Sequence, residues 1–232
     1  MASSTLWKLR RVASRAIRVA KRRGADSPAV GVYEATIVPN AEAFIKAFDA
    51  AGRYETAYKK EMREGKSAVG VLLQAIRAWL PLVQRDVPGF DGSTYGDQPT
   101  VPDDVMEDGS RLFDVVHDFL GPENQPLAFR DTFLANFAPK LAAAQKEWSE
   151  AEAADATYQR LLKDARIAAE AFDKDLQAFR KTLSAAFGRS DKDFQKLRAE
   201  KAHTRDDDDD PAAPAPPQAV TPAAPHGAPP NA

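Results

Sequence analysis

The fold is decided by residues 140–187, KLAAAQKEWSEAEAADATYQRLLKDARIAAEAFDKDLQAFRKTLSAAF, which contain neither glycine nor proline over 48 positions. Fourteen of these residues are alanine. Apolar residues recur at alternating steps of three and four, as in a helix that packs along another helix. We call this face the heptad seam. Its positions are Leu134, Phe137, Leu141, Ala144, Trp148, Ala151, Asp155, Tyr158, Leu162, Ala165, Ala169, Phe172, Leu176, Phe179, Leu183 and Ala186. The pattern predicts one helix about 70 Å long with coiled-coil-like packing.

Asp155 is the one charged residue in the heptad seam and has two interpretations. A single polar residue at a core position can fix the register of a partner helix. Alternatively, the helix breaks within residues 149–156, SEAEAADA, and its two halves form a hairpin. The absence of glycine and proline favours a continuous helix. Residues 140–187 contain eight basic and eight acidic residues, and all of these except Asp155 lie on the other faces, which predicts a solvated surface.

The residues before the long helix are predicted to form shorter helices. One helix begins at Asn40 and ends at Gly65, and Ser67 begins a second that carries the apolar run 69–83. Residues 24–39 have mixed signals and predict a short helix or an extended connector. A glycine- and proline-rich loop, residues 87–101, precedes a helix that begins at Pro102 and stops before Gly121.

The C-terminal part of the chain changes in composition after a short helix predicted at Asp191–Lys201. Residues 206–210 are five consecutive aspartates, and residues 211–232 hold eight prolines, eight alanines and no Asp, Glu, Lys or Arg. Such a segment cannot bury a core and is predicted to be disordered. We therefore expect an all-α antiparallel bundle of four to five helices with one long C-terminal helix. The predicted ranges are a basic amphipathic helix at 1–24, a bundle at 25–203 and an acidic, Pro/Ala-rich tail at 204–232.

The N-terminal segment LWKLRRVASRAIRVAKRR, residues 6–23, contains eight basic residues and no acid. At 100° per residue its small apolar side chains gather on one side of a helix and its cations on the other. The predicted anion-binding residues are Lys8, Arg11, Arg15, Arg18 and Arg22. Three interpretations remain: a helix that lies on an anionic membrane, a helix that contacts nucleic acid phosphates, or the first helix of a bundle with a wet polar face.

Catalysis has little support in the sequence. The chain has no cysteine, which excludes disulfides, cysteine nucleophiles and thiolate metal sites. It has no glycine-rich nucleotide loop, zinc-binding helix or nucleophile elbow. His117 lies near Asp114 and Asp118, but three histidines in the whole chain give no ligand set. We predict no enzymatic activity, no cofactor, no metal and no small-molecule substrate.

The sequence therefore favours a cytoplasmic helical scaffold that acts through coiled-coil-like surfaces. The predicted interaction residues on the heptad seam are Leu162, Phe172, Leu176, Phe179 and Leu183. They would contribute to folding or to self-association, with a second copy or another helical protein as partner. The alternative is a peripheral protein that binds an anionic membrane or nucleic acid through residues 5–23.

Overall fold

The computed structural model describes residues 4–93, 95 and 100–198. This part of the chain contains five α-helices, one 3₁₀ turn at Pro122–Asn124 and no β-strand, so the all-α prediction is confirmed. The helices are α1 (Ser4–Asp26), α2 (Pro28–Asp86), α3 (Pro102–Asp118), α4 (Arg130–Phe187) and α5 (Lys192–Leu197). All five lie within one unit, Met1–Ala199. The predicted tail, 204–232, lies outside the described residues, and the three domain ranges stay predictions.

The two long helices, α2 and α4, pack against each other in antiparallel orientation along most of their length. Residue numbers fall along α4 as they rise along α2 at three ring contacts. These contacts are Phe44 with Phe172 at 6.1 Å, Tyr58 with Tyr158 at 4.7 Å, and Trp79 with Phe133 at 5.3 Å between ring centroids. Each of the two helices is about 87 Å long at 1.5 Å per residue. They form the frame on which the shorter helices pack.

The predicted break between two helices at Gly65 and Ser67 is wrong, because α2 is continuous from Pro28 to Asp86. Gly65 is buried where α4 comes closest. A Cβ atom at this position would lie 2.9 Å from the Cβ of Ala151 and 3.1 Å from the carbonyl oxygen of Glu147. The glycine is therefore a point of close helix approach and not a helix end.

Residues 24–39 also belong to helices, and the extended connector considered for them is wrong. Ser27 is the one extended residue between α1 and α2, and Pro28 occupies the first turn of α2. Pro39 lies inside α2, where a proline costs about 3 kcal/mol relative to alanine. Ile37 and Ala41 on either side of it are fully buried, so tertiary packing offsets the weak local propensity.

The long helix α4 begins at Arg130, ten residues before the predicted start, and includes Pro139. It begins earlier because Phe133 and Phe137 are fully buried on the same face as Leu141. The helix passes Asp155 without a break. The Asp155 carboxylate is partly exposed and accepts a hydrogen bond from Nε2 of Gln159 at 3.3 Å.

A third helix covers each end of the α2–α4 pair. α1 buries its apolar face in a core formed with residues 30–48 of α2 and 169–183 of α4. α3 buries its own apolar face against residues 69–83 of α2 and 133–144 of α4. Between these two cores lies a small cluster whose members all belong to α2 and α4: Ala51, Tyr54, Tyr58, Tyr158, Leu161 and Leu162.

The short helix α5 packs beside α1. Gly188 ends α4 with a positive φ of 83°, which turns the chain back. The Asp191 carboxylate then accepts hydrogen bonds from the backbone N–H groups of Asp193 and Phe194, and so caps α5. Leu197 is fully buried in the core that α1 shares with α2 and α4. This turn brings the acidic start of α5 close to the basic side of α1.

Candidate anion-binding site

The orientation of α1 is fixed by its small apolar side chains. Val12, Ala13, Ala16, Val19 and Ala20 are buried, and alanine at three of these positions lets α1 approach α2 closely. Leu6, Leu9 and Ile17 pack at the margin of the same core. The apolar side of α1 is therefore occupied within the chain and is not available to enter a lipid bilayer.

The basic side of α1 faces outward. The five predicted anion-binding residues lie within an 80° sector of the helix at 100° per residue, and we call them the basic stripe. Lys8, Arg11, Arg18 and Arg22 are exposed, and Arg15 is half-buried. The stripe runs over four turns of helix, about 21 Å. In the part of the chain that the structure describes, Lys8, Arg11 and Arg18 form no ion pair.

Arg10 and Arg23, on the two flanks of α1, are paired with carboxylates of neighbouring segments, unlike Lys8, Arg11 and Arg18 of the stripe. Arg10 donates from Nε and Nη2 to the two carboxylate oxygens of Asp49 on α2, at 2.8 and 2.9 Å. These hydrogen bonds hold the pKa of Asp49 below its usual range. On the other flank, Arg23 donates to Asp191 at 2.6 Å and to Asp193 at 2.9 Å. The flank pairs bind α1 to its neighbours and leave the stripe to face solvent.

Asp193 is the buried acid of this region and was not predicted from the sequence. Its carboxylate is 4% exposed and forms ion pairs with Arg22 and Arg23. Burial raises the pKa of a carboxyl, but the hydrogen bonds from Arg23 and Arg22 outweigh it, so the pKa of Asp193 is lowered. The residues are about 170 positions apart in sequence, and no local pattern could have connected them.

Three residues of the basic stripe, Arg15, Arg18 and Arg22, line one recess together with Lys196 of α5. This α1–α5 recess has a volume of about 420 Å³, and Asp193 lies in its wall. Lys8 and Arg11 lie further towards the N-terminal end of α1 and do not contribute to it. The recess already holds an internal counter-charge in Asp193, which Arg22 contacts.

Trp7 lies near the N-terminal end of the stripe and is 52% exposed. Its ring contacts Phe48 edge to face, with centroids 5.3 Å apart, and the guanidinium of Arg10 lies 5.9 Å from the indole centroid. One side of the indole is therefore packed and the other is in water. An amphipathic ring in this position is typical of side chains at a membrane–water interface.

The predicted interaction residues on α4 lie inside the chain. Leu162 is 8% exposed, and the other four are fully buried. Phe172, Leu176, Phe179 and Leu183 belong to the core beneath α1, and Leu162 belongs to the small middle cluster. Their contacts within the chain contribute to folding directly. A partner that bound through these side chains would have to displace α1 or α2.

The remaining candidate chemistry is dispersed. His117 is exposed at the end of α3, with Nδ1 2.6 Å from a carboxylate oxygen of Asp118 and its ring stacked on Phe113. Among the residues that the structure describes, no cluster of three or more histidine or acidic side chains could hold a metal ion.

Among the described residues, α2 contains an 18-residue window with a mean hydropathy of 1.2. By length and composition, this helix could cross a membrane. Core helices of soluble proteins and N-terminal signal sequences pass the same test, so the window does not decide where the protein resides.

Comparison with protein-family models, curated proteins and solved structures gave no match. The function must therefore be argued from the chain itself.

Proposed function

We propose that this protein is a non-enzymatic helical interaction module that docks on an anionic membrane surface through the basic stripe of α1. The observation that carries the proposal is the division of α1 into paired and outward cations. Arg10 and Arg23 are held by carboxylates of α2 and α5, whereas Lys8, Arg11 and Arg18 face solvent. The apolar face and the flank pairs hold α1 in place without Lys8, Arg11 and Arg18, so these three cations are available for a partner.

Two features favour a lipid surface over nucleic acid. The stripe follows the outer face of a single helix, and no aromatic ring is among the described lining residues of the α1–α5 recess beside it. Proteins that bind single strands instead combine a basic groove with several stacking aromatic rings. Trp7 is the one aromatic residue of α1, and it lies at the end of the stripe with half of its surface exposed. Cations beside an interfacial indole are the arrangement expected for contact with anionic headgroups.

The binding mode is electrostatic and peripheral. The apolar face of α1 is buried against α2 and α4, so insertion into the acyl region would require loss of the core around Phe44 and Phe172. Each cation near an anionic leaflet contributes about 1 kcal/mol. Binding should therefore fall steeply between low salt and physiological ionic strength, where charges are screened beyond about 8 Å.

The test is co-sedimentation of the full chain with phosphatidylserine-containing vesicles and with neutral phosphatidylcholine vesicles. Deletion of α1 would expose the core, so the test variant carries Lys8→Gln, Arg11→Gln and Arg18→Gln. The matched control carries Arg63→Gln, Arg77→Gln and Arg166→Gln, three exposed cations of α2 and α4. We expect the stripe variant to bind anionic vesicles about a hundredfold more weakly at low salt, and the control to bind as the wild type does.

Three results would contradict the proposal. The first is wild-type binding to neutral vesicles as strong as to anionic vesicles. The second is an equal loss of binding in the two triple variants. The third is stripe-dependent binding to duplex or single-stranded DNA with no binding to anionic vesicles, which would assign the stripe to nucleic acid.

Self-association is a second candidate, and the middle of the α2–α4 pair favours it. The cluster there has three buried residues, Ala51, Tyr158 and Leu162, and no contribution from α1, α3 or α5. A second copy that packed on this segment would enlarge a small core. Light scattering at several protein concentrations and at high salt tests this, since an apolar contact persists at high salt. A monomer at all concentrations would exclude it.

A further inference from the structure

A second cationic recess, separate from the α1–α5 recess, lies where the end of α4 meets α5. This α4–α5 recess, between the last two turns of α4 and α5, has a volume of about 410 Å³, within the range of small-molecule sites. Its lining residues are Arg180, Lys181, Ser184, Arg189, Phe194 and Arg198. Four of the six are cations and none is an acid. The lining therefore concentrates positive charge in one concave place.

Arg180 is the residue of this recess that most needs a partner. It is half-buried, and its Nε atom is buried without a hydrogen-bond partner among the residues that the structure describes. A buried donor without a partner costs about 1–3 kcal/mol, and more when it is charged. Burial also lowers the pKa of the guanidinium, which reflects the loss of its hydration.

Acids around the recess are engaged within the chain. Asp173 of α4 acts electrostatically on Arg180, and its carboxylate accepts a hydrogen bond from Nε2 of Gln177 at 2.9 Å. Asp191 and Asp193 at the start of α5 are held by Arg23 from α1, and Asp193 also pairs with Arg22. The α1–α5 recess thus contains its own counter-charge. Among the residues that the structure describes, the lining of the α4–α5 recess contains no acid.

The other polar groups of the recess are arranged around this cluster. The Ser184 hydroxyl donates to the Lys181 carbonyl oxygen at 3.0 Å, so its proton is occupied. Arg198 donates from Nη1 to the side-chain oxygen of Gln195 at 3.3 Å, and Gln195 in turn donates to the Arg189 carbonyl oxygen. These contacts position the Arg198 guanidinium and hold Gln195 on the backbone at Arg189. The donors offered to a ligand are therefore those of arginine and lysine.

We propose that the α4–α5 recess binds a phosphate group, with Arg180, Arg189 and Arg198 as its hydrogen-bond donors and Lys181 as an additional charge. Arginine donates two parallel N–H groups that match two phosphate oxygens, and a phosphate dianion can accept from several arginines at once. The ring of Phe194 forms an apolar wall beside the anion. This proposal is independent of the membrane contact of α1, since it uses no residue of α1.

The first experiment titrates the full chain with inorganic phosphate at constant ionic strength and follows binding by calorimetry and by the thermal midpoint. We expect saturable binding that raises the midpoint. A variant with Arg189→Gln and Arg198→Gln, two exposed residues, should bind at least tenfold more weakly. The matched control, Arg160→Gln with Arg166→Gln on exposed positions of α4, should bind as the wild type does.

Arg180→Met separates a binding role from a structural one. If Arg180 serves a phosphate, the variant should have an equal or higher midpoint without phosphate, because a buried charge is gone, and should lose the rise on addition of phosphate. A variant that is less stable without phosphate and still gains the full rise would overturn the role of Arg180.

The source of the phosphate group is decided by a second arm with vesicles that carry a phosphomonoester headgroup, phosphatidic acid. Saturation by inorganic phosphate that the Arg189/Arg198 variant weakens supports a soluble ligand. No response to inorganic phosphate, but variant-sensitive binding to phosphatidic acid vesicles, supports a lipid headgroup. No response in either arm overturns the site. The stripe variant with Lys8→Gln, Arg11→Gln and Arg18→Gln should bind inorganic phosphate normally, so the two proposals fail separately.

Discussion

α1 and α3 each bury an apolar face against the same two helices, α1 at one end of the α2–α4 pair and α3 at the other. Their outer faces differ in charge. α1 contains eight basic residues and one acid, whereas α3 contains one arginine and six acids. Packing of the apolar face cannot explain this difference, because both helices meet the same requirement with small and aliphatic side chains. The two ends of the fold therefore differ chemically in the charge of their outer faces.

The two ends also differ in how their charged residues are paired. At the α1 end, acids of α2 and α5 reach across to the flank arginines, as in the Arg10–Asp49 pair. At the α3 end, Asp103 accepts a hydrogen bond from the Trp148 indole at 3.2 Å, and Arg111 pairs with Glu107 of its own helix. At the α1 end the acids thus pair with the flank arginines, whereas Lys8, Arg11 and Arg18 face outward. We interpret this arrangement as a docking surface.

The largest expected effect tests whether the two ends are equivalent in packing. Phe172 at the α1 end and Phe137 at the α3 end are both fully buried on α4. Truncation of each to alanine should lower the free energy of unfolding by about 3–5 kcal/mol. Urea denaturation of the two single variants measures this. A loss below about 1 kcal/mol at one end would show that the two cores are not equivalent.

The next effect concerns the acids that hold α5 on α1. The lowered pKa of Asp193 means that the folded state binds its proton less readily than the unfolded state. Its contribution to stability is therefore full above the unfolded carboxyl pKa, about 3.9, and is lost as the pH falls through the lower folded value. Asp193→Asn should cost about 2 kcal/mol at pH 7.

The measurement is urea denaturation at pH 7, 5 and 3 for the wild type and the Asp193→Asn variant. The difference in unfolding free energy between the two proteins should shrink towards pH 3. The exposed Asp26→Asn is a control of the same chemistry near the same arginine. A constant difference at all three pH values would show that Asp193 contributes by packing and not by charge.

The smallest effects lie in the segment between the two ends. Gly65→Ala adds a methyl group 2.9 Å from Ala151, so we expect a loss of about 1–2 kcal/mol from overpacking. Gly52→Ala on the same helix meets no atom within 4 Å and should stabilise the protein by about 0.5–1 kcal/mol. Opposite signs in thermal or urea denaturation support close approach at Gly65. A gain in stability at both positions would show that α4 does not approach α2 closely at Gly65.

Sequence reasoning reached the all-α class and the set of cations that share one face of α1, because both follow from local spacing. It ended a helix at Gly65, inside α2, and began the long helix after Pro139, inside α4. Rules about helix breakers take no account of a partner helix whose packing compensates for the glycine or the proline. Gly65 is needed because Ala151 approaches it, and residue 151 is 86 positions away in the chain.

The site was accessible to sequence reasoning in part. The stripe residues lie on one helix, so their common face could be derived at 100° per residue. The Arg10–Asp49 pair could not, because it depends on how α1 packs on α2. The Arg23 pairs and both recesses beside α5 could not either, because they depend on a turn at Gly188 that returns the chain to α1. A run of basic residues alone also does not show which of its cations will form ion pairs with acids elsewhere in the chain.

The most direct test of the account asks which end of the molecule touches an anionic membrane. The chain has no cysteine, so one introduced thiol carries one label. Ser14 beside the stripe and Ser110 on α3 are a matched pair, because both are half-buried and both donate to the carbonyl four residues earlier. Each is replaced by cysteine in a separate full-length protein and given a polarity-sensitive fluorophore.

On addition of phosphatidylserine vesicles at low salt, we predict that the label at position 14 shifts to the blue and becomes protected from an aqueous quencher. The label at position 110 should keep its spectrum and its quenching, and high salt should reverse the change at position 14. Protection at position 110 alone, or equal protection at both positions, would contradict the claim that the basic stripe of α1 is the docking surface.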